Sequence, residues 1–213
     1  QDMILGCYYL TRLRNDEKGE GSFIGSYDEA RLSYINETIT LHAKINFKDS
    51  DGKWIKSTSI GRVLFNEILP KKIRFINDIV SKKKLNTIIS NSYKQCGNMD
   101  TVAFLDKLKD LGFEFAFKSG LSIALDDIHI PGKKDEILSA ADKKVNSIQD
   151  KFNKRIITDG ERYNKVIDIW THATSDVAAA MFEELELDNQ GFNPLFMMSD
   201  SGARGSQDQI KQL

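Results

Sequence analysis

Cysteine is almost missing from this chain: Cys7 and Cys96 stand alone among 213 residues, without any CxxC spacing. That excludes a disulfide framework and a cysteine-built zinc site. Histidine is equally sparse. His42, His129 and His172 are scattered, none at ligand spacing from another, so no metal centre is read here. Charge of one sign is missing too: the formal net charge is −1 and the pI near 6.4, which argues against a self-sufficient nucleic-acid clamp, normally a basic domain. No run approaches the ~18 apolar residues of a membrane span, and no signal peptide opens the sequence. An intracellular, cytoplasmic protein is expected. No internal repeat, low-complexity segment or disordered tract is found, since 40% hydrophobic and 29% charged residues suit a folded chain.

What is present is mostly helical pattern. In residues 132–152, Ile137, Ala141, Val145, Ile148 and Phe152 recur at steps of three and four. Tyr163, Val166, Trp170, Ala173, Val177, Met181 and Leu185 do the same further on. Such steps keep one apolar stripe facing a partner. Thr158 with Glu161 reads as a capping box for the second helix. The spacing therefore predicts an antiparallel coiled-coil hairpin with a projecting tip. The plainer alternative is a helical pair inside a core, but Lys133, Lys134, Asp142, Lys143, Lys144, Asp150, Lys154, Asp168 and Glu184 give both arms a charged outer face. Before the hairpin, residues 2–12 suit a mostly buried helix, 18–25 a glycine-rich loop, and 29–35 a helical turn or two. Residues 40–47 alternate like a half-buried strand, Asp51-Gly52 signals a hairpin turn, and 54–60 return. Residues 61–68 are too short to assign. Helices are expected over 81–95 and 99–118 with a break at Gly97, and 121–131 are extended and turn-like. The fold class is α+β, mainly α, with a small antiparallel sheet. Three regions are drawn: 1–131, the hairpin 132–187, and 188–213. The last of these ends in a helical pattern that continues to Leu213, so the chain reads as a piece of something longer.

Few residues carry chemistry. Asp126-Asp127 are adjacent carboxylates that point apart, so a hydrogen-bonded turn explains them better than a shared proton or metal. Lys82, Lys83 and Lys84 read as a solvated face. Neither cysteine has a neighbouring histidine to make it a nucleophile. The exception is residues 199–206, a polar, glycine-flanked loop centred on Arg204. A guanidinium fork with nearby backbone donors suits a phosphate.

The string SDSGARGSQDQIKQL at 199–213 closely resembles the segment before the bridge helix in the family of bacterial DNA-directed RNA polymerase β′ subunits. QDMILGCYYLT, SIGRVLFNEILP, SGLSIALDDIHIP and GERYNKVIDIWT extend the resemblance across the chain. It implies a pore and funnel region at 1–131, secondary-channel rim helices at 132–187 and an approach to the bridge helix at 188–213. It further implies that Arg204 faces the triphosphate of an incoming nucleotide, with Gln1 near the same site. Asn164, Lys165 and Asp168 would lie on a rim that docks Gre-type cleavage factors. The family's catalytic aspartate loop, with its two Mg²⁺ ions, is absent from this sequence. No catalytic residue and no metal is therefore expected here, with Mg and Zn held elsewhere in the subunit. The β, α, ω and σ subunits would be partners, and DNA and RNA would be met only in the full enzyme. From a different class, the chief alternative is a free-standing coiled-coil hairpin that binds proteins.

Overall fold

The computed structural model describes residues 1–210. It divides into two units: Gln1–Ser122 with Met197–Arg204, and Ile123–Phe196 with the residues from Gly205 on.

The first unit is built on helix α1 (Asp2–Thr11), whose Cys7, Tyr8 and Leu10 are fully buried. After it come strand β1 (Phe23–Ile24) and helix α2 (Tyr27–Ile35), then β2 (Ile45–Lys48) and β3 (Trp54–Thr58). Three helices complete the run: α3 (Ile60–Glu67), α4 (Lys82–Cys96) and α5 (Asn98–Ser119). The expected hairpin is present. Asp49 and Lys53 close it, with Gly52 at φ +77°, a conformation that glycine adopts without steric cost. Its register steps from Ile45↔Thr58 to Phe47↔Ile55, and the extra residue of β3 is absorbed where Ser57 turns to φ 52°. Residues 40–44, expected as strand, instead form a turn in which Ala43 bridges to Arg14. The loop at 18–25 contains β1, which pairs parallel to β2 through Phe23↔Asn46 and Ile24↔Phe47. Two residues are too few to show a period in sequence.

Residues 61–67 belong to α3, with Ile68 as its C-cap, and Ser59 caps the other end by accepting from the Arg62 amide. Gly97, at φ 82°, separates α4 from α5 as expected. Of Val102, Leu105, Leu108 and Phe113, whose spacing marks α5 as helical, only Leu108 faces the core. The other three stay exposed, while Thr101, Phe104, Gly112 and Phe115 are buried with Leu108. The cause is close contact with α1. A Cβ on Gly6 would lie 1.9 Å from the Gly112 carbonyl oxygen, and one on Gly112 would lie 2.5 Å from Met3 Cγ. The two backbones touch there, so the orientation of α5 follows its glycine and not its largest side chains. Gly6→Ala should therefore destabilise the chain by about 2 kcal/mol. The clash is with main chain that cannot swing aside, and overpacking outweighs the gain of about 1 kcal/mol in helix propensity. Urea denaturation of the two chains measures the difference, and equal midpoints would refute the close crossing.

In the second unit a short 3₁₀ turn (Leu125–Asp127) precedes helices α6 (Lys134–Asn153) and α7 (Asp159–Leu187). They run antiparallel. At one end the Gly132 amide donates to Glu184 Oε1 at 2.9 Å and Lys133 pairs with Glu183. At the other, the Arg162 guanidinium lies 5.2 Å from the Phe152 ring centre. The capping box forms as read: Glu161 N–H donates to the Thr158 hydroxyl, and Glu161 Oε2 accepts from Thr158 N–H. Two details of the stripe differ. Tyr163 is 59% exposed and Trp170 36%, because the covered positions in the first half of α7 are Arg162, Val166, Ile169 and Ala173. Glu184 leaves the charged outer face to bind the Gly132 amide. Leu185, Leu195 and Phe196 form this unit's small core with Ile128 and Met181. Helices α8 (Pro194–Asp200) and α9 (Gln207–Ile210) complete the described elements. The helix expected over 207–213 is thus seen to Ile210, and its remainder lies outside the described residues.

Candidate arginine loop

Residues MMSDSGARG form a closed loop at the end of α8. Ser201 N–H donates to Met197 O, Gly202 N–H to Ser199 O, and Arg204 N–H to Met198 O. The Ser201 hydroxyl, fully buried, donates to Met198 O at 3.0 Å and accepts from Ala203 N–H at 3.2 Å. Gly202 sits at φ +71° with Lys82 Cβ 3.3 Å from where its own Cβ would be, so conformation and space both demand glycine. Two anchors hold the loop. Lys82 N–H, at the start of α4, donates to Ser201 O at 2.9 Å. From α1, the fully buried Tyr8 donates its hydroxyl hydrogen to Asp200 Oδ2 at 2.5 Å, while Arg12 Nη1 donates to the Tyr8 oxygen.

These bonds overturn one expectation, that the loop offers its backbone donors to a phosphate. The N–H groups of Ser201, Gly202, Ala203 and Arg204 are all used inside the loop, so it does not offer them to a ligand. What it presents is the side chain of Arg204, which is exposed and has no ion pair or side-chain hydrogen bond among the described residues. Gln1 belongs to the same unit, exposed at the head of α1, where its carbonyl accepts from Leu5 N–H. It stands seven residues before Tyr8, about 10 Å along the helix axis. No hydrogen bond joins Gln1 to Arg204 among the described residues.

Asn164, Lys165 and Asp168 lie on α7 in the other unit, all exposed and within one helical turn. Lys165 and Asp168 do not pair. Asp168 turns to His172, whose Nδ1 is 2.8 Å from the Asp168 carbonyl oxygen and 3.4 Å from its carboxylate. Glu161, one turn before Lys165, has its pKa lowered by the Thr158 amide and hydroxyl first, with Lys165 adding a smaller share.

The remaining candidates resolve into structural roles. Asp127 Oδ2 accepts from Ala124 N–H at 2.7 Å, the hydrogen-bonded turn expected of the Asp126-Asp127 pair. Burial pushes the Cys7 thiol up to about 12, which keeps it protonated and unreactive. Among the described residues no group of three His, Cys, Asp or Glu side chains could hold a metal ion. None of the described helices is long and apolar enough to cross a membrane. Tyr8, Arg12, Asp200 and Lys82 were not legible as site residues, because Tyr8 and Asp200 are 192 positions apart and no local pattern links them.

Fold and site together define a mainly helical scaffold that presents the exposed guanidinium of Arg204 from a braced loop. Comparison with known families gives that scaffold its place. Residues 1–128 match the family described as RNA polymerase Rpb1, domain 3, and residues 157–213 match RNA polymerase Rpb1, domain 4. The chain belongs to the RNA polymerase Rpb1 family. Among curated relatives, the DNA-directed RNA polymerase subunit beta' of Porphyromonas cangingivalis is 44% identical over 220 residues, those of Salinibacter ruber 42% over 214 and of Phocaeicola vulgatus 46% over 221. Each alignment covers the whole of this chain but only 19%, 15% and 16% of the relative, so the chain spans less than a fifth of their length.

Proposed function

We propose that this chain is part of the β′ subunit of a DNA-directed RNA polymerase, where it forms the wall and rim of the channel through which nucleotides enter. The observation that carries the reading is Arg204, an exposed guanidinium with no partner among the described residues, on a loop fixed at both sides. A bidentate arginine at that place neutralises charge that develops on the β- and γ-phosphates as pyrophosphate departs. Gln1 lies on the same substrate side. The Mg²⁺ ions of nucleotidyl transfer, with any Zn²⁺, are assigned in this reading to other parts of the subunit. Residues 1–131 serve as pore and funnel, 132–187 as rim and 188–213 as the approach to the bridge helix. The exposed Asn164, Lys165 and Asp168 form a docking patch for Gre-type cleavage factors. The other partners are the β, α, ω and σ subunits, with DNA and RNA engaged by the cytoplasmic holoenzyme.

A chimera tests this. In the full-length β′ subunit of Phocaeicola vulgatus, the matching segment is replaced by this chain and the enzyme is reassembled. It should synthesise RNA on a DNA template, and Asn164→Ala with Lys165→Ala should weaken factor-stimulated transcript cleavage while factor-free elongation stays normal. A chimera that assembles but makes no RNA would overturn the reading, and an undiminished factor response would remove the docking patch from it.

A further inference from the structure

Arg204 is exposed, yet the loop that carries it is tied to the most deeply buried hydroxyl of α1. Tyr8 has no solvent exposure, and its oxygen sits between two charged groups: it donates to Asp200 Oδ2 and accepts from Arg12 Nη1. Arg12 is itself 9% exposed, with its guanidinium carbon 5.6 Å from the Tyr8 ring centre. A buried hydroxyl between a cation and an anion is oriented by both and has one way to point. Burial and the Asp200 carboxylate both raise its pKa, so it remains a donor throughout the physiological range. Asp200 is the last residue of α8, four positions before Arg204. The chain between them is closed by its own hydrogen bonds and by the Lys82 amide on Ser201 O, so a displacement of Asp200 is passed to Arg204 without slack.

We propose that Tyr8 is a positioning residue: through Asp200 it fixes the loop that carries Arg204 and thereby sets the affinity of the site for a nucleoside triphosphate. The ligand half of this statement rests on the function proposed above, whereas the clamp rests on the geometry alone. Arginine recognises phosphate through a planar fork, and a fork displaced by an ångström loses one of its two bonds. Tyr8→Phe keeps the ring, its packing and the ring contact with Arg12, and removes the oxygen with its hydrogen bonds to Asp200 and Arg12.

The test uses the full-length subunit in assembled polymerase, with two separate readouts. The first is amide hydrogen exchange over residues 197–204, which reports whether the loop is held. The second is the KM for nucleotide against kcat, which reports whether holding it matters. In Tyr8→Phe, exchange over the loop should rise while α4 and α5 are unchanged, and KM should rise about 3- to 10-fold, the factor that one hydrogen bond supplies. Asp200→Asn retains an acceptor for Tyr8 and should stay near wild type, whereas Asp200→Ala should resemble Tyr8→Phe. Tyr8→Phe combined with Arg204→Ala should be no worse than Arg204→Ala alone. Unchanged loop exchange in Tyr8→Phe would overturn the clamp. Raised exchange with unchanged KM, where Arg204→Ala does raise it, would overturn its part in nucleotide affinity. Raised exchange with a silent Arg204→Ala would uphold the clamp and refute the triphosphate reading instead.

Discussion

Replacing Arg204 with alanine, in the full-length subunit assembled into polymerase, should slow nucleotide addition by about 10- to 1000-fold and leave promoter binding intact. The range is what removal of one charge-stabilising donor typically costs. The fold should not contribute, because Arg204 is exposed and has no ion pair or side-chain hydrogen bond among the described residues. Surface substitutions of that kind stay within about 0.5 kcal/mol. Arg204→Lys should recover only part of the rate, since an ammonium restores charge without the two-pronged geometry. Single-nucleotide addition at saturating and at limiting nucleotide separates the cases. A loss at both concentrations places the contact in the transition state, and a loss only at limiting nucleotide places it in binding. Unchanged rates at both would remove Arg204 from the site.

Acid should destabilise the first unit through His42. The ring is 7% exposed, its Nδ1–H donates to the Arg12 carbonyl at 3.0 Å, and Tyr9 meets it edge-on at 4.6 Å. Burial dominates and pushes its pKa down to about 4; the Arg12 carbonyl and Glu17 pull the other way, and Arg14 and Arg12 add to the lowering. In the unfolded chain the same ring titrates near 6.5. Between these values the unfolded chain takes up a proton that the folded one refuses. Stability is therefore complete above pH ~6.5 and falls as the pH drops toward 4, by about 3 kcal/mol in all. Asp78, whose pKa is lowered by its Lys84 hydrogen bond, gives a loss of the same sign that begins only near the ordinary carboxylate range. The two are thus separable. Urea denaturation between pH 7 and 4.5 should show the His42 slope, and His42→Gln should flatten it. An unchanged slope in that variant would show that His42 is not the titrating group.

The parts of the fold that could be read in sequence are those whose cause lies within a few residues. Thr158 and Glu161 cap each other across three positions, Gly97 breaks a helix where it stands, and Asp51-Gly52 turns a hairpin on itself. What escaped is held across distance. The stretch from Pro70 to Val80 has no strand or helix and yet is fixed: Asn66 binds both the amide and the carbonyl of the segment, through Ile76. Arg62 donates to Thr11 O and Asn77, and Val80 N–H donates to the Thr11 hydroxyl. None of these side chains has a spacing that announces its partner. The candidate residues divide in the same way. Arg204 stood out because glycines frame it, and Asn164, Lys165 and Asp168 are exposed where expected. The Tyr8–Asp200 brace and the internal use of the loop's amides arise only once the chain is folded.

The contact of Gly6 with Gly112 has a consequence for how error spreads through the protein. Helices usually keep their distance through intervening side chains, so each rotamer change or core substitution alters the gap a little. Where Gly6 of α1 meets Gly112 of α5 neither residue has a side chain to vary, and the gap is set by the radii of main-chain atoms, with Met3 packed against Gly112. Tyr8, two residues from that crossing, starts from a fixed origin. With Tyr8 bracing the Arg204 loop as proposed, the placement of that loop is referred to two residues that have no side chains.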